Sequence, residues 1–165
     1  KNMKILSMKT TIFLGAMLSL LVCLMFTGCS NSETNSTSRG LTDFAHIEEE
    51  YLATIDSLNW PDGITLPDKL EDEDTGASFQ VGYGETRASY LWEYSWMKEW
   101  LDTYNTDPER AEKALEELEK AFDMPYMGID RCDDATRNYL RENIDKAKLG
   151  DPSGFTESIR ANYAN

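Results

Sequence analysis

ETRASYLWEYSWMKEWLDTYN, residues 85–105, holds three of the four tryptophans of this 165-residue chain and decides how the rest of it is read. At about 100° per residue, Trp92, Trp96 and Trp100 fall in one stripe of a helix, and Tyr90, Tyr94, Met97, Leu101 and Tyr104 fall in a second stripe beside it. Together the two stripes cover more than half of the circumference. A helix that apolar is predicted to be the central one, with others packed around it. Glu93 breaks the pattern, because on the same wheel it lies inside the apolar arc, between the directions of Trp100 and Met97.

The flanking sequence supplies the helices that would surround it. LTDFAHIEEEYLATIDSL, residues 41–58, repeats Phe44, Ile47, Tyr51, Ile55 and Leu58 at three- and four-residue spacing, with Thr42 as a candidate N-cap. Asp107-Pro108 opens a helix in which Ala111, Ala114, Leu115, Leu118, Ala121 and Phe122 keep the same spacing until Met124-Pro125 ends it. Asp133 or Asp134 caps a further helix bearing Tyr139, Leu140, Ile144 and Ala147, which Gly150 closes. Asp151-Pro152 repeats the start signal for a short last helix through Phe155 and Ile159. Between residues 59 and 84 lie Pro61, Asp62-Gly63, Pro67 and the acidic run EDED, which punctuate a long loop. Phe79, Val81 and Tyr83 alternate with small or polar residues there and allow at most one short strand. The reading is all-α, an irregular bundle of about five helices with one long loop, and its core is sufficient for a domain over residues 41–165 without disulfides.

The first 28 residues have a different character. A short basic start at Lys9 leads into IFLGAMLSLLVCLMF, residues 12–26, followed by Thr27, Gly28 and Cys29. That is the order of an export signal, with a positive region, an apolar region and a small-residue exit. The apolar run is short of the roughly 20 residues of a lasting transmembrane helix, and no basic cluster follows it. FTGC, residues 26–29, resembles the lipobox of bacterial lipoproteins, with Phe26 standing where such motifs usually carry an aliphatic residue. The resemblance implies that residues 1–28 are a removed signal peptide and that Cys29, carrying diacylglycerol, becomes the first residue of a protein anchored to the cell membrane. Ordinary signal cleavage or a retained short anchor would leave the cysteine without a role. Because the chain opens with Lys1 and Asn2, translation is expected to begin at Met3 or Met8. Residues 29–40 continue as SNSETNSTSRG after the cysteine, without an apolar residue, so they are read as a flexible tether spanning roughly 18 Å. Two acyl chains make a stable anchor, and the domain is then expected on the extracytoplasmic side.

Charge agrees with that placement. The chain carries 16 basic and 30 acidic residues, and beyond the three lysines of residues 1–28 the balance is 13 against 30, a net −17. Such a surface repels phosphate backbones and anionic headgroups, which excludes nucleic acid as a partner and adsorption to a membrane through basic patches. Cations and basic partners remain open, as does a charge that serves solubility alone. Three cysteines, of which only Cys132 lies beyond Cys29, give no disulfide framework, and Cys132 is read as a small half-buried apolar residue.

Glu93 is the first candidate site residue. A carboxylate among aromatic side chains must find a partner or keep its proton. It would suit a general acid, a cation site or a sugar-binding cleft, and equally a structural pair with Arg137, Arg141 or a tyrosine hydroxyl. GYGETR, residues 82–87, enters the central helix through two glycines, so its backbone amides and Arg87 are a candidate anion site, or the glycines only make the turn. The phosphate-loop lysine and the G-x-G-x-x-G spacing are lacking. GYGETRASYLWEYSWMKEWL resembles a stretch of small exported helical proteins of Gram-positive bacteria, a likeness that implies no catalytic residues. Asp72, Asp74 and Gly76 echo the opening of a calcium loop, but its distal glutamate would fall at or near Tyr83. With a single histidine, His46, and no metal, nucleophile or cofactor motif, no cofactor is expected. The candidate binding residues are thus Tyr83, Arg87, Trp92, Glu93 and Trp96. The first reading is a binding or interaction module that uses them, without catalysis. The alternatives are an extracytoplasmic hydrolase pairing Glu93 with Asp72 or Asp74, and a non-catalytic scaffold.

Overall fold

The structure is a computed structural model that describes residues 40–71 and 73–163. The signal segment, Cys29 and nearly all of the tether lie outside the described residues, as does Asp72.

Among the described residues five helices form, with one long loop between the first two, and the all-α reading holds. In order they are α1 (Phe44–Ser57), α2 (Tyr83–Thr103), α3 (Pro108–Glu119), α4 (Asp134–Lys148) and α5 (Ser153–Asn162). Two 3₁₀ turns, Lys120–Asp123 and Pro125–Met127, carry the chain from α3 towards α4. Two short strands, β1 (Leu41–Thr42) and β2 (Phe79–Gln80), pair antiparallel with Leu41 opposite Gln80 and Thr42 opposite Phe79. This pairing corrects the expected start of α1. Thr42 is spent on the strand, and Asp43 caps the helix instead, its carboxylate accepting from the His46 N–H at 3.0 Å. The last helix also starts later than its signal, with Pro152 at the cap and Asp151 accepting from the Ser153 N–H before it, whereas α3 and α4 follow their signals. Asp107 accepts from the Arg110 N–H, Asp133 accepts from the Thr136 N–H, and Pro108 occupies the first turn of α3. Gly150, at φ +78°, ends α4.

The central position of α2 follows from what it buries. Trp92, Trp96, Met97 and Trp100 are each at most 2% exposed, and they pack with Leu118, Tyr126, Leu140, Ile144 and Phe155 in the main core. Burying side chains such as Leu118, Leu140 and Phe155 contributes about 1.5–3 kcal/mol each. A second cluster, Ile47, Tyr51, Ile55, Leu70 and Ala88, holds α1 against the first half of α2. That crossing is close. A methyl group at Gly84 would overlap the carbonyl oxygen of Ile47 and come within 2.9 Å of the Tyr51 nitrogen.

The long loop is stapled to the core by its backbone. The carbonyl of Asn59 accepts from the indole N–H of both Trp92 (2.8 Å) and Trp96 (3.1 Å), and the Trp60 indole donates to the Ile55 carbonyl at 2.9 Å. Leu70 is buried in the second cluster, and its N–H donates to Glu48 at 3.2 Å. These anchors bring residues 67–71 beside the middle of α2, where they form one wall of a cavity. Among the described residues no helix is long and apolar enough to cross a membrane.

Candidate functional site

A cavity of about 700 Å³ lies between the middle of α2, the loop around Leu70, the first half of α4 and the end of α5. Glu93 stands in its wall. Its side chain is held there because α2 places it on the buried face, one residue after Trp92 and three before Trp96, and the residue is only 7% exposed. One carboxylate oxygen, Oε2, accepts from the hydroxyl of Tyr126 at 2.7 Å. The other oxygen has no hydrogen-bond partner among the described residues. Burial pushes the Glu93 carboxyl up from its ordinary 4.5 to about 7, with the Tyr126 hydrogen bond working the other way. The same pair holds the Tyr126 hydroxyl protonated, since burial and the adjacent Glu93 charge both raise it far above the ordinary tyrosine range.

Of the partners the sequence offered for Glu93, the tyrosine hydroxyl is the one present. Arg137 turns instead to the carbonyls of Met127 and Cys132 and to Asp134, and Arg141 lies over the Phe122 ring and bonds Asn138. Among the described residues no cation therefore neutralises Glu93.

Tyrosines make the apolar part of the cavity wall. Tyr51, Tyr90, Tyr139 and Tyr163 line it, with Leu91, Met127 and Leu140. Tyr90 meets Tyr126 edge-on, with ring centroids 5.6 Å apart, and the Tyr163 hydroxyl donates to the Tyr90 carbonyl at 3.3 Å. Burial and the nearby Glu93 raise the hydroxyls of Tyr90 and Tyr163 as well, so both stay neutral at ordinary pH. Polar groups at the wall are Thr136, Ser158 and Asn162, and charged ones are Lys69, Glu71 and Arg87.

The structure brings together two of the candidate binding residues, Arg87 and Glu93. Trp92 and Trp96 lie elsewhere. Each is 1% exposed, each is spent on the Asn59 carbonyl, and neither lines the cavity, so these indoles support the fold rather than a ligand surface. Tyr83 also stands outside the cavity. It packs on Phe79 and donates to Glu73 at 2.8 Å, and the same Glu73 oxygen lies 3.4 Å from Arg87 Nε. Cys29 is beyond the described residues, and Cys132 is half-buried with its thiol raised by burial.

GYGETR does hold an anion, but the anion belongs to the protein. The Glu50 carboxylate accepts from the N–H of Gly82 at 2.8 and 2.9 Å and from that of Gly84 at 3.2 Å, filling the N-terminus of α2 from within. Gly82 has φ +89°, and a Cβ there would lie 2.5 Å from the Arg131 guanidinium, which pairs with Glu85. Both glycines are thus needed for geometry.

The carboxylate pair expected for a hydrolase is not assembled from Asp74. That residue is exposed, accepts from the Gly76 N–H at 2.9 Å and does not line the cavity. Glu71 does line it, paired with Lys69 at 2.9 Å. Among the described residues no group of three or more histidine, cysteine or acidic side chains is placed to hold a metal ion.

Tyr139 was visible only as an apolar position of its helix and Tyr163 not at all, because a site assembled from six chain segments leaves no local spacing. Tyr90 was visible only as a member of an apolar stripe, yet it is 41% exposed. The chain matches no protein-family model, no curated protein and no solved structure.

Proposed function

We propose that this protein is a lipid-anchored, extracytoplasmic binding module, held to the cell membrane through diacylglycerol on Cys29, whose helical domain takes a small ligand into the cavity beside Glu93. The observation that carries the binding reading is a buried carboxyl, one oxygen of which is unpartnered, in the wall of a cavity of about 700 Å³. That volume and the mixture of apolar wall with a few converging polar groups suit a small molecule. The order of basic start, apolar run, glycine and cysteine over residues 8–29 supports the anchor.

Two experiments test the two halves. Purified from membranes in detergent, the full chain is screened by thermal shift against amines, sugars, cell-wall fragments and divalent cations. A ligand at a hundred times its Kd adds about 2.7 kcal/mol to stability, which raises the melting temperature by several degrees. Thr136 is exposed and lines the cavity, so Thr136→Trp should fold normally and remove the shift. A panel that moves no melting temperature, or a shift that survives Thr136→Trp, overturns the binding site. Intact mass should place the N-terminus of the mature protein at Cys29 with added lipid, and labelled palmitate should enter the wild type and not Cys29→Ala. Equal labelling of both overturns the anchor.

A further inference from the structure

The charges facing the cavity narrow the chemistry of its ligand, an inference that rests on the binding reading above. Four charged groups line it: Lys69, Glu71, Arg87 and Glu93. Lys69 Nζ sits 2.9 Å from Glu71, and Arg87 Nε sits 3.4 Å from Glu73, so each cation already has a carboxylate. Glu93 has none. What faces it from the elements around it are hydroxyls and rings: Tyr126 from the turn before α4, Tyr90 from α2 itself, and Tyr163 from the end of α5. The remaining titratable neighbour is Cys132, whose thiol is raised by burial. None of these supplies a positive charge, and the net charge of the folded part is strongly negative.

We propose that the cavity binds a small organic cation, an ammonium or quaternary ammonium group seated against the unpartnered Glu93 oxygen among the rings of Tyr90, Tyr139 and Tyr163. Aromatic faces attract such groups through their negative quadrupole, and a desolvated carboxylate adds the counter-charge. A bare metal ion fits less well, because the space is far larger than an ion and among the described residues no three histidine, cysteine or acidic side chains are placed to hold one. Arg87 and Lys69 each face a carboxylate, which offsets their repulsion of the cation.

Binding at neutral or lower pH requires the Glu93 carboxyl to ionise. Its O–H bond breaks, the electron pair stays on oxygen, and the proton passes to solvent as the ligand's fixed charge takes its place. Nothing is oxidised or reduced. A permanent cation therefore binds the ionised form, and its affinity should follow the ionised fraction. With Glu93 titrating at about 7, that fraction, and the affinity, rise about tenfold from pH 6 to pH 8 and flatten above.

The test is calorimetry on the full chain in detergent, with choline, butylammonium and the neutral analogue of choline in which carbon replaces the ammonium nitrogen. Both cations should bind, about tenfold tighter at pH 8 than at pH 6, with close to one proton released per choline at pH 6 and few at pH 8 when two buffers of different ionisation enthalpy are compared. The neutral analogue should bind weakly and without pH dependence. Glu93→Gln keeps an acceptor for Tyr126 and should lose the cations while leaving the neutral analogue unaffected. Equal binding of choline and its neutral analogue, or choline affinity that survives Glu93→Gln, overturns the proposal. Binding of a sugar or cell-wall fragment in the cavity, blocked by Thr136→Trp while no cation binds, overturns the cation and leaves the binding module standing. No binding by any probe in either panel overturns both.

Discussion

Glu93→Gln makes the sharpest stability prediction, because its sign changes what is usually expected of a buried substitution. In the folded protein the Glu93 carboxyl titrates at about 7 against an ordinary 4.5. Below pH 4.5 both folded and unfolded chains carry the proton, and the full stability is present. Between 4.5 and 7 the unfolded chain ionises while the folded one holds its proton, so stability falls as pH rises, and above about 7 the loss is complete. At 1.36 kcal/mol per pH unit the loss is about 3 kcal/mol, and no screening discount applies to a residue buried this deeply. Glutamine has no proton to lose and retains an acceptor for the Tyr126 hydroxyl. The stability of Glu93→Gln minus that of wild type should therefore grow by about 3 kcal/mol from pH 4 to pH 8, on the order of 10 °C in Tm for a domain of this size. Urea titrations of both proteins at half-unit pH intervals measure the gap directly, and subtraction removes every group the two share. A gap that stays constant across this range would show that Glu93 titrates normally. One that shrinks with pH would show that the ionised carboxylate has a strong partner.

Gly84→Ala should behave oppositely to the usual helix substitution. In an exposed helix the change gains about 1 kcal/mol, but here the methyl group meets the Ile47 carbonyl across the α1–α2 crossing, so a loss of about 3 kcal/mol is expected in urea unfolding, and an unchanged midpoint would disprove the close contact. Glu50→Ala strips the acceptor from the N–H groups of Gly82 and Gly84 at the start of α2. With charge-assisted bonds worth about 1.5–3 kcal/mol each, it should cost about 3–5 kcal/mol and speed hydrogen exchange in the first turn of α2; a cost under about 1 kcal/mol would mean that water replaces the carboxylate.

Helix placement was legible because it rests on local signals. Asp107-Pro108, Asp133 and the three-four spacing of Ala111, Ala114 and Leu118 act within a few residues, and each element they mark is present. Thr42 failed as a cap for a non-local reason: its segment pairs with Phe79 and Gln80, almost forty residues away, and leaves Asp43 to take the N–H of His46. The tryptophans show the same limit at the site. Their wheel positions foretold burial and not which buried side would meet a cavity. Trp92 and Trp96 are directed to the Asn59 carbonyl, whereas Glu93, between them in sequence, reaches the open side where α4, α5 and the long loop leave space. The tyrosines that complete the wall come from α1, α2, α4 and the end of α5, and only tertiary packing assembles them.

The two acids that meet α2 differ in how fully the fold accounts for them. Glu50 sits at the helix N-terminus with both oxygens engaged by backbone N–H groups, and it stabilises the positive end of the helix dipole. Removing it would expose donors that nothing else in the fold satisfies, so folding alone accounts for its presence. Glu93 is different. Among the described residues only one of its oxygens is engaged, and its charge has no counter-charge. Ionising it works against the folded state by about 3 kcal/mol, a large fraction of the 5–15 kcal/mol that holds a typical domain together. Glutamine would keep the Tyr126 hydrogen bond without that loss, so the packing of α2 gives no reason for a carboxylate at position 93. An ionisable group held at a stability cost beside open space supports the proposal that its partner is a ligand. These observations support the proposed site at the cavity beside Glu93 over GYGETR, where the protein has already supplied its own anion.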